Sequence, residues 1–216
     1  MIAVAPMVFV VDDDPSVRRS LTRLLASAGH TVEAFASAKE FLAREPHAGP
    51  CCLVLDVRMP GLNGLDLQET LAATGRRMSI VFVTGHVDVP MSVRAMKRGA
   101  TDLLTKPVDD KDLLAAIHRC LAKDVEDLGE EARVADVRKR VKLLSPRETE
   151  VFALVVTGML NKQIAAALGI SEKTIKVHRA RVMDKMQARS VAELVRLADR
   201  FGVILPKARS KRPRPG

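Results

Sequence analysis

The chain has 216 residues, 47% of them apolar, and a formal net charge of +9, enough for one large domain or two small ones with buried cores. Cys51, Cys52 and Cys120 are odd in number and lack metal-ligand spacing, which excludes a thiolate metal centre and points to reduced, buried thiols in a cytoplasmic protein. The apolar run from Met1 to Val11 has no basic start and leads straight into three aspartates, so it reads as neither signal peptide nor membrane span.

The charge is unevenly placed. Residues 1–122 and 123–142 are each neutral, whereas residues 143–205 hold 10 basic against 6 acidic side chains and residues 206–216 add 5 basic ones. All of the excess therefore lies in the C-terminal third, the electrostatic footprint of a partner that is a polyanion. For residues 206–216 alone, a solvated basic tail is the simpler reading.

Val8 to Val11 has the pattern of a strand buried on both faces of a parallel sheet, and it ends at Asp12, Asp13 and Asp14. Open parallel sheets bind ligands at the carboxyl ends of their strands. Two carboxylates about 4 Å apart repel by about 4 kcal/mol at an effective dielectric of about 20. Holding Asp12 beside Asp13 therefore calls for a hard, oxygen-bound cation such as Mg2+. The same residues also read as a cap for a helix starting near Pro15, and this stretch alone leaves both readings open.

A helix over Ser16 to Ala28 follows, with Val17, Leu21, Leu24, Leu25 and Ala28 on one face and Gly29 as its stop. Thr31 to Phe35 is a short strand, and Ser37 with Glu40 caps a helix to Arg44. Leu53 to Leu55 is a wholly apolar strand ending at Asp56, followed by a helix over Gly64 to Thr74. Ile80 to Val83 is another such strand, ending at Thr84, with a helix over Val89 to Arg98. Leu103 and Leu104 form a short fifth strand before Thr105, Lys106 and Pro107, where a cis peptide would aim the lysine. A last helix begins at Asp109. The pattern is (βα)5, an α/β doubly wound parallel sheet. Right-handed crossovers bring Asp12, Asp13, Asp56, Thr84 and Lys106 to one edge of it, although they lie up to 94 positions apart.

The motifs VVDDDPSVRRSL, LVLDVRMPGLNGLDL, VFVTGHVDVPMSVRAMKRGA and LLTKP resemble the receiver domain of two-component response regulators, and the likeness covers residues 7–122. It implies that Asp56 is the phosphoacceptor and that Asp12, Asp13, Asp56 and the backbone carbonyl of Arg58 hold Mg2+. It also implies that Lys106 and Thr84 contact the phosphoryl group. The aromatic residue usual three positions before the lysine is Leu103 here, and the chain has no tyrosine, so an aromatic rotamer switch is not expected. His86 reads as an ordinary rim histidine.

The charged segment 123–142 continues the apolar spacing through Val125, Leu128, Ala132 and Ala135. It reads as an extended helix that pairs in a dimer or as a hinge, and Gly129, at about 1 kcal/mol relative to alanine, favours the hinge. Four helices follow between Ser145 and Phe201. Ser145 and Glu148 form a capping box, Asn161 caps the second helix, and Ser171 caps the third after a turn at Gly169. In the third helix, 172–187, Ile175, Val182 and Met186 share the inner face, and His178 packs beside them. Lys173, Lys176, Val177 and Ala180 share the opposite face, which suits a DNA major groove, with Thr174, Arg179 and Arg181 at the flanks for phosphates. Lys162 opens the preceding helix on the same basic region. The fourth helix, from Ser190, carries Val191, Leu194, Val195 and Ala198 on one face.

LSPRETEVFALVVTGMLNKQIAAALGISEKTIKVHRARVMDKM is similar to the LuxR-type helix-turn-helix, which implies an all-α four-helix DNA-binding domain whose last helix dimerises. The expected organisation is a receiver over 1–122, a linker over 123–142, a DNA-binding domain over 143–205 and a basic tail over 206–216. The expected function is a NarL/FixJ-type transcription factor. A sensor histidine kinase would phosphorylate Asp56, the surface around Val89 to Leu104 would then favour a homodimer, and double-stranded promoter DNA would be bound, with RNA polymerase as a further partner. Two rivals are a constitutive DNA binder whose receiver serves only for docking, and a phosphatase using Asp56 as nucleophile. The second acid such hydrolases need two residues on is replaced here by Arg58, so no enzyme is expected.

Overall fold

The computed structural model describes residues 4–75, 78–85 and 88–200, and the chain divides into two compact units, one ending at Gly129 and one starting at Glu130. His86 and the tail 206–216 lie outside the described residues.

The first unit alternates β1 (Met7–Val11), α1 (Pro15–Ser27), β2 (Thr31–Phe35), α2 (Ala38–Ala43), β3 (Cys51–Asp56), α3 (Gly64–Ala73), β4 (Ser79–Thr84), α4 (Val89–Lys97) and β5 (Asp102–Thr105), and α5 (Asp110–Lys142) starts on it. The strands form one parallel sheet in the order β2-β1-β3-β4-β5, the expected doubly wound topology, with its switch point between β1 and β3. Alternation along each strand splits the core in two. Phe9, Val11, Leu53, Leu55 and Phe82 face a layer containing Phe41, Leu67, Leu71 and Ala95. Val8, Val10, Val54, Val81 and Val83 face Leu21, Leu25, Leu113, Ile117 and Cys120. Every residue of β3 and β4 is buried, as their unbroken apolar runs require. The three cysteines are buried and free. No helix among the described residues is long and apolar enough to cross a membrane.

The hinge expected at Gly129 is replaced by continuous helix. The roughly 1 kcal/mol that glycine costs is offset by anchorage on both sides. Asp124, four residues after Cys120, is buried in the first unit, and Val137 is buried in the core of the second. Ion pairs Arg133–Glu130 at 3.5 Å and Arg140–Asp136 follow the helical repeat. Val125 and Leu128 stay 52% and 37% exposed.

The second unit adds α6 (Pro146–Val156), α7 (Asn161–Leu168), α8 (Glu172–Lys185) and α9 (Val191–Arg200). Val151, Phe152, Ile164, Ile175, Val182, Met186 and Leu194 are its fully buried centre. Gly169, at φ 66°, takes the left-handed conformation that ends α7 and lets the chain turn into α8. Two expectations are corrected here. Asn161 is the first residue of α7, not its cap. The cap position is Leu160, whose N–H donates to Gln163 Oε1 at 2.8 Å, which frees the Asn161 side chain to accept from Arg179 Nη1 at 2.8 Å. Leu194 packs fully inside its own unit's core and offers no dimer contact, because the apolar face of α9 is what closes that small core. Val191 and Ala198 are half-buried against the same core, which leaves Val195 outside the cluster.

Glu148 holds this unit at its start. Its Oε2 accepts the Ser145 N–H at 2.8 Å and the Lys185 ammonium at 2.6 Å, while Lys185 Nζ also donates to the Leu143 carbonyl at 3.0 Å. The Lys185 hydrogen bond first, then the Ser145 N–H, hold the Glu148 carboxyl down at about 2, against an ordinary 4.5. A depressed carboxylate contributes stability above its unfolded value and loses it as pH falls through the folded one. Glu148→Gln is expected to cost the second unit about 2 kcal/mol at neutral pH. It should also flatten the acid limb of stability between 4.5 and about 2, read by thermal unfolding with circular dichroism.

Candidate functional site

Strand register places the acidic site. Val11 pairs with Leu55 and Asp56 with Val83, so Asp12, Asp56 and Thr84 leave neighbouring strands at one edge, and Thr84 pairs with Thr105 just before Lys106. Asp12 and Thr84 are fully buried, Asp56 is 7% exposed and Asp13 is exposed. Lys106 Nζ donates to Asp12 Oδ2 at 2.6 Å and lies 3.2 Å from Asp56 Oδ2. The Lys106–Pro107 peptide is cis.

Burial pushes the Asp56 carboxyl up, Lys106 pulls it down and Asp12 raises it again, with a net displacement above its ordinary 3.8. Burial would lower Lys106, but the hydrogen bond and charge of Asp12, with the charge of Asp56, outweigh it and hold the ammonium above 10.5. Asp12, Asp13 and Asp56 each offer a carboxylate oxygen, all within 4.8 Å of one another. Three carboxylates against one ammonium leave two negative charges, and Asp56 Oδ1 is buried without a hydrogen-bond partner among the described residues. An all-oxygen donor set of that charge fits a divalent hard cation. Asp14, the alternative reading of this acidic run, is the helix cap: its Oδ1 accepts Ser16 N–H at 2.7 Å and Val17 N–H at 3.4 Å. Site and cap thus coexist on successive residues.

Two supporting residues were not singled out from the sequence. Arg18 Nη1 donates to the Asp12 carbonyl at 2.6 Å, pinning the acidic turn from α1. Gly64 starts α3 so close to β3 that a Cβ there would lie 2.2 Å from the Asp56 carbonyl oxygen. Spacing carried a signal for both, since Arg18 lies one helical turn beyond Asp14, and Gly64 closes the GLNG turn after Asp56. Arg58, exposed, lines a cleft of about 870 Å³ with Asp13, Asp88 and Arg94.

On α8, Lys173, Thr174, Lys176, Val177, Ala180 and Arg181 are exposed, and Val177 keeps 47% of its surface. Ser171 Oγ accepts the Thr174 N–H at 3.1 Å and shares a 2.8 Å hydrogen bond with the Thr174 hydroxyl. Lys162 is exposed in the first turn of α7. Arg179 is half-buried and bound to Asn161, so it serves first as a strut between α7 and α8. His178 is half-buried with Nδ1 buried and unpartnered among the described residues, in keeping with a packing role.

Residues 8–118 match the response regulator receiver domain, and residues 142–198 match the bacterial regulatory proteins of the luxR family. The chain belongs to the NarL/FixJ-type response regulators. It is 49% identical over 197 residues to nodulation protein W of Bradyrhizobium diazoefficiens, a span of 91% of this chain and 87% of that protein. With FixJ of Azorhizobium caulinodans it shares 46% identity over 91% of this chain and 93% of the relative. Among solved structures, the response regulator StyR shares 46% identity at a TM-score of 0.78, covering 91% of this chain and 99% of that one. Full-length FixJ from B. japonicum shares 45% at a TM-score of 0.55, covering 92% and 98%. Like the FixJ-type regulators, this response regulator is a phosphorylation-controlled transcription regulator that joins a receiver to a LuxR-type DNA-binding domain.

The raised Asp56 carboxyl yields a stability prediction. A carboxyl whose folded value is raised stabilises the fold below its unfolded value, and that contribution is lost as pH rises through the folded one. At neutral pH the ionised site is therefore a local burden on the receiver. Asp56→Asn is expected to stabilise the metal-free receiver at pH 7, read as a higher Tm, and to remove most of the increase in Tm produced by millimolar Mg2+ in the wild type.

Proposed function

We propose that Asp56 is the phosphoacceptor of this response regulator, that Asp12, Asp13, Asp56 and the Arg58 carbonyl hold Mg2+, and that Lys106 and Thr84 receive the phosphoryl group. The observation that carries this reading is the cluster of Asp12, Asp13 and Asp56 carboxylates, two of them paired with the half-buried Lys106, with Asp56 Oδ1 lacking a hydrogen-bond partner among the described residues. Bound Mg2+ would neutralise charge on the transferred oxygens. A carboxylate oxygen of Asp56 forms the new bond to phosphorus while the phosphorus–nitrogen bond to the kinase histidine breaks, and the departing imidazole takes a proton from solvent. Lys106 is already seated between Asp12 and Asp56, so its ammonium moves little to pair with a phosphoryl oxygen, and the electrostatic cost of reorganisation is small. The hydroxyl of Thr84, at the end of β4, donates to another such oxygen.

The output is a homodimer that binds double-stranded DNA through α8, with Lys173, Lys176, Val177 and Ala180 toward the major groove and Lys162, Thr174 and Arg181 toward phosphates. Arg179 reaches a phosphate only by sharing its guanidinium with Asn161. Val89, Val93 and Met96, spaced i, i+4 and i+7 on α4 and 76%, 45% and 47% exposed, support a dimer through the α4–β5 surface. On α9, Val195 retains that role in place of Leu194. Paired modules recognise half-sites about one helical turn apart. Contact with RNA polymerase would follow promoter binding.

With a small acyl phosphate and Mg2+, wild type is expected to dimerise and gain DNA affinity while Asp56→Asn does neither; equal response of the two would sink the switch. Lys176→Ala is expected to lose about 1–3 kcal/mol of discrimination between operator and random DNA. Removing residues 206–216 should only flatten the salt dependence of binding. Both are read by titrating DNA at several salt concentrations.

A further inference from the structure

Asp124 is a buried carboxylate, 5% exposed, on the stretch of α5 that leads on toward Val137. Its Oδ2 accepts the Cys51 N–H at 2.8 Å, its Oδ1 faces the Ser79 N–H at 3.4 Å, and the Cys51 thiol also hydrogen-bonds to it. Cys51 and Ser79 are the first residues of β3 and β4. The opposite ends of those two strands carry Asp56 and Thr84. One side chain on α5 therefore grips, from below, the two strands on which the phosphorylation chemistry acts from above.

Burying a carboxylate among Cys51, Ser79 and the sheet floor costs free energy that only its hydrogen bonds return. Those bonds are unequal. The Cys51 contact is short, whereas the Ser79 contact sits near the outer limit of a hydrogen bond, so a slide of β4 by a few tenths of an ångström makes or breaks it. A helix tied firmly to β3 and marginally to β4 responds to relative movement of the two strands.

Resting on the phosphorylation reading above, we infer that Asp124 is a positioning residue for signal transmission, fastening α5 to β3 and β4 so that displacement of the Thr84 strand after phosphorylation of Asp56 is passed into α5. The asparagine variant keeps the shape but turns one acceptor into a donor facing a backbone N–H.

The test uses the full chain as wild type, Asp124→Asn, and Glu126→Gln as an exposed control on the same helix. Phosphorylation of Asp56 by an acyl phosphate with Mg2+ is followed by gel mobility, hydrogen exchange over residues 119–130 by mass spectrometry, and DNA affinity with and without the donor by titration. Asp124→Asn is expected to be phosphorylated at close to the wild-type rate, which also certifies a folded receiver. Its hydrogen exchange over 119–130 should be about tenfold faster, and its phosphorylation-dependent gain in DNA affinity should fall by about fivefold or more relative to wild type. The control should leave all three readings unchanged. A wild-type gain kept in full by Asp124→Asn overturns this inference alone. Failure of Asp124→Asn to accept phosphate overturns it too, since Asp124 would then serve receiver folding. A wild type without any gain overturns the phosphorylation reading, and this inference with it.

Discussion

The first unit is organised by repulsion that its fold sustains. Parallel strands end with their side chains and helix-facing amides at one edge, and β1 and β3, adjacent across the switch point, deliver Asp12 and Asp56 side by side. Lys106 answers part of that charge from β5, across the intervening β4. The remainder is an electrostatic excess that the hydrophobic faces of the sheet must carry. That imbalance is what suits the pocket to a divalent cation, the occupant proposed for it, whereas a fully compensated site would be more stable and have no use for one.

Buried polar contacts do comparable work away from that pocket. Arg18 fixes the acidic turn through a main-chain carbonyl, and Gly64 allows α3 to approach the Asp56 backbone where any side chain would collide. In the second unit, Lys185 and the Ser145 cap satisfy Glu148 together, and Arg179 bound to Asn161 sets α8 against α7. With its inner face closed by Ile175, Val182 and Met186, α8 leaves its lysines, Val177 and Ala180 outward. The basic outer surface of α8 is thus defined by what the core consumes.

Legibility followed periodicity. Strands β1, β3 and β4 read as apolar runs because both their faces are covered, and the residues at their carboxyl ends stood out against those runs. Helix α8 read equally well, since one face is wholly apolar and the other basic. Readings that depended on one residue's propensity or on a face without a known neighbour fared worse. Gly129 suggested a hinge, Asn161 a cap, and Leu194 a free apolar face. Each was decided by a partner distant in the chain, namely the cores that hold Asp124 and Val137, the guanidinium of Arg179, and the interior of the second unit.

From residue order alone came the alternation of strands and helices, the family, the acidic and basic clusters, and the polar residues that stand at the strand ends, because pattern and side-chain type are local properties of the chain. Tertiary structure decided which charges compensate one another. It set the Lys106 ammonium on Asp12 across 94 positions and turned Asp124 from a linker charge into a buried clamp on two strands. The reason is physical: the value of a charge depends on its solvent exposure and on partners a few ångströms away, and folding is what creates both.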